Sequence, residues 1–244
     1  MKGKFIKLQY ALVIAIFTII IGLALAFTTE NPRYDLILSS HNLLIDAFLT
    51  TIFLSLVSLI GALILGFVLW VMARSQIVIL RAISNVFSEI IMGTPQLVMI
   101  FLIVYPLGNF LNLKDKMLLG IISLILYNAP YIANAYQATA SVVGDEQYTV
   151  MNLYHFKWYQ KYKYVILPQM IKPFIPSLMN QLSSVIKASS LLNIIAISEI
   201  TYITTSVATR SYAIIEGYYI MWIMYLMVTI PLSLIAKFIA RKAG

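Results

Sequence analysis

Hydrophobic residues occur in this chain as long uninterrupted runs. Four windows carry no charged side chain, and they cover residues 8–29, 47–73, 117–144 and 217–236. Two more windows are apolar apart from one ion each: residues 82–113 contain Glu89, and residues 173–198 contain Lys187. A membrane-spanning helix needs about 20 apolar residues, whereas a membrane β-strand needs only about 10. The pattern therefore predicts six transmembrane helices.

The first window admits two interpretations. Three lysines in the first seven residues precede an apolar run that ends in Ala24-Leu25-Ala26, which resembles a signal peptide with a small-residue cleavage site. The run is longer than the apolar core of about 7–15 residues that signal peptides contain. We therefore expect a retained helix.

Composition excludes several classes of protein. Apolar residues make up 61% of the 244 residues and charged residues only 11%, which excludes a soluble globular enzyme and a disordered chain. The chain has no cysteine, so it holds no disulfide, thiolate metal site or cysteine nucleophile. His41 and His155 would lie on opposite sides of the membrane, which excludes a metal site or a catalytic triad that uses both.

The net charge of +8 is distributed unevenly along this topology. With a cytoplasmic N-terminus, twelve of the 17 lysines and arginines fall in cytoplasmic segments and four in outer loops. Cytoplasmic loops of membrane proteins carry such an excess, and the asymmetry holds only for an even number of spans. The charges therefore predict six spans with both termini in the cytoplasm.

The longest segment outside the membrane, about residues 145–172, is cytoplasmic in this topology and combines many aromatic residues with interspersed lysines. This composition fits a loop that lies along the membrane surface, and it also fits a short helix presented to a cytoplasmic partner. The segment is too short for a nucleotide-binding domain, and the chain contains no phosphate-binding loop motif. Uphill transport would therefore need energy from another polypeptide or from an ion gradient.

Several motifs in order resemble the permease subunits of ABC importers for polar amino acids, the histidine/glutamine permease-like group. Gln147-Tyr148 and Leu167-Pro168-Gln169 stand where the cytoplasmic EAA loop of that family has Gln-aromatic and Leu-Pro-Gln. The other matching segments are Leu49 to Gly66, Met92-Gly93-Thr94-Pro95, Ala129 to Ala133, Asn180, Lys187 to Leu191, and Ser198-Glu199-Ile200. Together they cover about residues 43–240.

The resemblance implies an all-α membrane protein with the type I ABC importer (MetI-like) helical bundle. Residues 1–42 would form an added N-terminal span and an external loop, and residues 43–240 a five-span permease domain that includes a cytoplasmic coupling loop, residues 141–172. The implied partners are an ATP-binding subunit dimer, a second permease half and an extracytoplasmic solute-binding protein. ATP and Mg²⁺ would bind the ATPase, so this chain would hold no cofactor or metal and would not be an enzyme. The implied location is the bacterial cell (inner) membrane.

In the family, a short helix of the coupling loop docks on the ATPase. The residues that the resemblance assigns to this contact are Glu146, Gln147, Thr149, Val150, Met151, Tyr154, His155, Leu167 and Pro168. The family's Glu-Ala-Ala triplet is replaced by Thr149-Val150-Met151, and His155 replaces a glycine, which adopts positive φ more readily than histidine does. Either the other half of a heterodimer carries the fuller motif, which we favour slightly over a homodimer, or the motif has drifted while the helix is retained.

Polar residues within the predicted spans are candidates for a solute path. Asn180, Ser183, Lys187 and Ser190 recur at helical spacing on one face, although a snorkelling lysine with serines bonded to their own helix would also explain them. Glu89 is a candidate partner of Lys187, and Thr94-Pro95 predicts a kink. The remaining candidates are Thr94 itself, Asn128, Tyr131 and Asn134, the last three lining the path or forming interhelical hydrogen bonds.

We therefore expect the permease subunit of an ABC importer for a polar amino acid. The alternatives are a permease for another small polar solute, a stand-alone secondary transporter or channel, and a membrane scaffold. Glu89 and Lys187 offer little material for ion coupling, which weighs against the secondary transporter. The sequence does not identify the solute.

Overall fold

The computed structural model describes residues 32–243, together with six residues of the first apolar segment: Leu12, Val13, Ala15, Ile16, Ile19 and Gly22. Within residues 32–243 the chain is helical, and that part contains no β-strand. This confirms the predicted all-α class. The predicted first span, residues 8–29, lies largely outside the described residues.

We number the helices in chain order. They are α1 (Tyr34–Leu38), α2 (His41–Ala73), α3 (Val78–Gly93), α4 (Gln96–Phe110), α5 (Lys116–Ala140), α6 (Asp145–Leu153), α7 (Trp158–Gln160), α8 (Leu167–Ala188), α9 (Ile200–Arg210) and α10 (Ile214–Ala243). A π-helical stretch, Lys161–Ile166, joins α7 to α8, and a 3₁₀ stretch, Ser189–Ile195, extends α8.

Three helices are long and apolar enough to cross a bilayer alone: α2, α5 and the first 25 residues of α10. Two helix pairs would pass the same test as bent spans. The axes of α3 and α4 differ by 111° at Thr94–Pro95, and the stretch Pro173–Ile195 differs from α9 by 52°. The described residues therefore hold up to five spans, in agreement with the five predicted core helices.

The break between α3 and α4 has a local cause. Thr94 and Pro95 both have extended backbone, with ψ of 129° and 137°. Proline has no N–H to donate and disfavours helical backbone at the residue before it, so α3 ends at Gly93. Where the sequence predicted a kink within one helix, the structure has a complete break between two helices.

Helices α2 and α5 form the centre of the bundle and approach closely at two glycines. A Cβ on Gly61 would collide with Cδ1 of Ile125, and a Cβ on Gly66 would lie 2.8 Å from the carbonyl oxygen of Ala129. Small residues permit such backbone approach between membrane helices, where van der Waals packing replaces the hydrophobic effect. The outer surface, by contrast, exposes large apolar side chains on every long helix, such as Ile64, Ile90 and Met227, as a lipid-facing surface requires.

Candidate functional site: a short exposed helix and a polar face

Helix α6 is a short helix outside the apolar bundle with two unlike faces. Asp145 and Glu146 lie in its first turn, where negative side chains favour the helix dipole. Met151 is buried in a core cluster beneath it, which anchors one side of the helix. On the other side, Val150, Leu153 and Tyr154 are 50%, 71% and 75% exposed. Apolar side chains displayed on a small helix are typical of a docking surface.

We call this exposed face the coupling surface, after the role that the sequence resemblance predicts for this segment. Its residues recur at steps of three and four along α6 and its C-cap, and they are Glu146, Thr149, Val150, Leu153 and Tyr154. Four of the five are among the predicted coupling residues, and Leu153 is the one that the sequence analysis missed. Extending the helical spacing of Glu146, Thr149 and Val150 by one turn would have found it.

The C-terminus of α6 is closed by His155 in the left-handed conformation, with φ of 52°. The N–H of Phe156 donates to the carbonyl of Met151 at 2.9 Å, and the N–H of His155 donates to that of Asn152 at 3.0 Å. This is the hydrogen-bond pattern of a Schellman motif, in which glycine is the usual left-handed residue. His155 therefore makes the turn that the family glycine would make.

Arg74, the residue after α2, ties α6 to the bundle. Its guanidinium lies over the rings of Trp70 and Tyr148, at 5.6 Å and 5.9 Å from their centroids. It also donates to the Tyr148 hydroxyl and to Oε1 of Gln137, both at 3.3 Å. Because these partners belong to α2, α6 and α5, one side chain joins three helices.

Two further polar contacts hold α6. The side-chain amides of Gln147 and Gln169 donate to each other's carbonyl oxygen, at 3.3 Å and 2.8 Å, which joins α6 to the start of α8. The ammonium of Lys161 donates to the side-chain oxygen of Asn152. Helix α6 is thus bonded to α2, to α8 and to the π-helical stretch between α7 and α8.

Aromatic rings continue this connection into the bundle. Tyr136 stacks on Phe174 at 4.5 Å between centroids, and Trp70 lies 5.8 Å from both Tyr136 and Tyr162. Aromatic pairs at these separations each contribute about 0.5–1.5 kcal/mol beyond their buried area. These rings join α2, α5, α8 and the π-helical stretch beneath the contacts that hold α6.

The other predicted coupling residues take different positions. Gln147 joins α6 to α8 through its side-chain amide, Met151 is the buried residue of α6, and His155 is exposed at the turn that ends the helix. Leu167 and Pro168 are the first two residues of α8 and directly follow the π-helical stretch. A cleft of about 510 Å³ lies beside α6 and is lined by Glu146, Gln147, Val150, Met151, Tyr154, Phe156 and Val165.

The predicted path residues of α8 share one side of the helix. Asn180 and Lys187 are exposed, and Ser183 and Ser190 are partly exposed. The Ser190 hydroxyl donates to the Lys187 carbonyl at 2.7 Å, so it bonds to its own helix as a serine in an apolar helix commonly does.

The remaining path candidates are dispersed. Glu89 is exposed on α3, and its pairing with Lys187 stays a prediction. Thr94 donates to the Ile90 carbonyl at 2.7 Å. On α5, Asn128 is buried and donates to the Leu124 carbonyl at 2.7 Å, while the rings of Tyr131 and Tyr127 lie 5.6 Å apart. The remaining candidate, Asn134, is exposed, with its amide 3.7 Å from the sulfur of Met92.

Sequence reasoning did not assign a role to Glu199, which is fully buried at the N-terminus of α9. Its carboxylate accepts from the backbone N–H groups of Thr201 and Tyr202 at 2.9 Å and 2.7 Å, and from the Tyr225 hydroxyl at 2.9 Å. These bonds cap α9 and join it to α10. A lone acidic residue between two apolar runs was the signal that could have found it.

The structure is a bundle of apolar helices that includes two bent helix pairs. A short helix lies outside the bundle and is held there by polar contacts. This architecture defines a polytopic membrane transport component. Family comparison specifies the class. Residues 68–243 match the family of binding-protein-dependent transport system inner membrane components, so the chain belongs to that family. This confirms the resemblance seen in the sequence motifs.

The chain is similar to named permeases along most of its length. It is 27% identical over 208 residues to the probable glutamine ABC transporter permease protein GlnM of Bacillus subtilis, covering 85% of this chain and 96% of the relative. It is 27% identical over 203 residues to the glutamine transport system permease protein GlnP of Escherichia coli K12, covering 82% and 92%.

Solved structures share the fold. One chain of an amino acid ABC transporter crystallised with histidines has a TM-score of 0.80 and 22% identity, covering 87% of this chain and 100% of that chain. A chain of the methionine ABC transporter MetNI in an inward-facing conformation has a TM-score of 0.71 and 12% identity, covering 84% and 98%. These neighbours confirm the MetI-like helical bundle.

Proposed function

We propose that this chain is the membrane permease subunit of an ABC importer for a polar amino acid, and that ATPase subunits drive it through α6. The observation that carries the proposal is the unlike character of the two sides of α6. One side exposes Val150, Leu153 and Tyr154, and the other is bonded through Gln147, Tyr148 and Asn152 to three parts of the bundle. A helix built this way can receive a force from a docked protein and pass it on.

The contacts that hold α6 on the bundle would transmit its movement to the membrane helices. Nucleotide-driven closure of a docked ATPase would displace α6 as a rigid body, because Met151 anchors its buried side in the core of the bundle and its polar side chains bond to Arg74 at the end of α2 and to α8. The ends of α2, α5 and α8 would then move together through Arg74 and the Trp70 rings. Glu89 and the polar side of α8, with Lys187, would line the solute path.

The names of the relatives support a polar amino acid as solute, and the implied partners follow from the same class of transporter. They are a dimer of ATP-binding subunits that hold ATP and Mg²⁺, a second permease half and an extracytoplasmic solute-binding protein. Both termini would lie in the cytoplasm. A permease of this class for another small polar solute is the alternative, since the binding protein of such a system sets the selectivity.

The test compares two matched substitutions in the complex purified through a tag on this chain. Val150→Asp places a charge on the coupling surface, whereas Val142→Asp places one on a valine of similar exposure, 55% against 50%, in the linker before α6. A charge buried at an interface without a partner is strongly unfavourable, so Val150→Asp should lower co-purified ATPase activity at least tenfold. Val142→Asp should leave it near the wild-type level.

The outcome that refutes the proposal is equally definite. Equal ATPase recovery in the two variants would exclude α6 as the docking helix. Solute uptake that persists after every co-purified ATPase has been inactivated would exclude an ABC importer altogether.

A further inference from the structure

A cavity of about 450 Å³ opens beside α9, away from the coupling surface. The described residues that line it all carry polar or charged side chains, and they are Asn193, Tyr202, Thr205, Ser206, Thr209 and Arg210. Small-molecule sites commonly have volumes of about 300–1,000 Å³. The cavity therefore has the size and the lining that a small polar solute requires.

The lining arises from a regular pattern along α9. From Tyr202 to Arg210, the five lining residues of this helix recur at steps of three or four, so they occupy one face. The opposite face is buried through Ile200, Val207 and Ala208. Contact with lipid is energetically unfavourable for polar and charged side chains on the outside of a membrane bundle. This face of α9 must therefore contact water, solute or protein.

The polar side of α8 leads to the same cavity. Lys187, Ser190 and Asn193 follow one another at steps of three along α8 and the 3₁₀ stretch, where residues three apart lie on the same side. Asn193 lines the cavity, and Lys187 is exposed one helical turn before Ser190. A polar strip thus runs between two cationic side chains, Lys187 and Arg210, and none of the described residues that line the cavity is acidic.

We infer that this cavity binds a small solute through its carboxylate, with Arg210 as the carboxylate ligand. A planar guanidinium can donate two parallel hydrogen bonds to a carboxylate. The Thr209 hydroxyl donates its proton to the Thr205 carbonyl at 2.8 Å, which leaves its oxygen as an acceptor for an ammonium group. The Arg210 guanidinium would bind the carboxylate of an amino-acid zwitterion, and the Thr209 hydroxyl oxygen would accept from its ammonium group. This inference rests on the proposed function and names the chemical class of its solute.

The test uses the absence of cysteine from this chain. Ser206→Cys in the complete transporter, held in lipid nanodiscs, is reacted with two methanethiosulfonates, one carrying a sulfonate and one a trimethylammonium group. Ser39→Cys, in the exposed turn between α1 and α2, is the control site. The ratio of anionic to cationic reaction rates should be about tenfold higher at Ser206→Cys than at the control, because Arg210 makes the cavity positive.

Two additional variants assign that preference to Arg210. With Arg210→Gln the ratio should fall to the control value, whereas Arg210→Lys should keep most of it because the charge remains. A mixture of polar L-amino acids should slow the modification of Ser206→Cys, and the matching α-amides, which lack the carboxylate, should not. Equal ratios at the two cysteines, no effect of Arg210→Gln, or equal protection by acids and amides would each overturn the inference.

These outcomes are separate from those of the proposed function. Cysteine modification requires neither ATP nor coupling, so a flat reactivity ratio beside normal ATPase recovery would refute only the carboxylate site. Failure of the ATPase to co-purify with the wild-type chain would refute the proposed function, whatever the cysteine reactivity.

Discussion

Substitution of Arg74 by alanine should loosen α6 from the bundle. The guanidinium stacks over Trp70 and Tyr148 and donates to Gln137 and to Tyr148. Arg74→Ala removes all four contacts, while the Gln147–Gln169 pair and the buried Met151 keep α6 attached. The expected result is therefore easier local opening of α6 and not loss of the fold.

The contacts set the size of the effect. Only the contacts between Arg74 and Tyr148 join Arg74 to α6, since Trp70 and Gln137 lie on α2 and α5. A cation over an aromatic ring at an exposed site contributes about 0.5–1 kcal/mol. The two hydrogen bonds are 3.3 Å long, at the weak end of the range, and add little. A change of about 0.5–1 kcal/mol alters a local opening equilibrium about 2- to 5-fold.

Hydrogen exchange measured by mass spectrometry on the complete transporter in nanodiscs checks this prediction. Peptides that cover residues 145–156 should exchange about 2- to 5-fold faster in Arg74→Ala, while peptides from the centre of α5 should not change. Arg81→Ala is the control, because Arg81 is an exposed arginine on α3. Wild-type exchange in Arg74→Ala, or an equal increase in Arg81→Ala, would refute the role given to Arg74.

Two further predictions concern backbone positions. His155→Gly should slow the exchange of the last turn of α6 severalfold, since a left-handed non-glycine residue costs about 1–2 kcal/mol that glycine avoids; faster exchange would contradict this. Gly66→Ala should destabilise the detergent-solubilised protein by about 1–3 kcal/mol, because the new Cβ meets a backbone carbonyl 2.8 Å away. Gly93→Ala, where nothing lies within 4 Å, should leave the thermal midpoint measured by size-exclusion chromatography nearly unchanged.

The apolar windows predicted the helices well because few backbone structures other than a helix are stable in lipid. Backbone groups in a bilayer must bond within their own segment, so an apolar run of span length becomes a helix whatever its neighbours are. The window at residues 47–73 lies within α2, and the window at residues 217–236 lies within α10. The break at Pro95 was also predictable, because it follows from the missing N–H and from steric restriction of one residue.

The angle at that break was not predictable. Two consecutive extended residues permit many directions, and the observed 111° depends on how α4 packs against the rest of the bundle. Leu192 and Leu119 belong to the same core cluster as Ile100 of α4, although they are distant in sequence. Such long-range packing leaves no local signal in the chain.

In the predicted coupling loop too, some features follow from the local sequence and others from long-range packing. The motif placed a turn at His155, and its local hydrogen bonds close a Schellman motif there. Burial of Met151 by the bundle fixes which side of α6 faces outward, whereas Leu153 escaped notice because the helical spacing of the motif was not extended by one turn. Arg74 was counted only as a cytoplasmic charge, because nothing in the sequence brings residue 74 near Tyr148.

The sequence by itself determined the apolar spans of the described residues, the family and the position of the short helix α6, because these follow from local composition and short-range spacing. The tertiary structure decided which side chains meet: Arg74 with Tyr148, Gln147 with Gln169, and the polar face of α9 with Asn193. The physical reason is that contacts between helices depend on their rotation and crossing, and these are set by packing over the whole bundle.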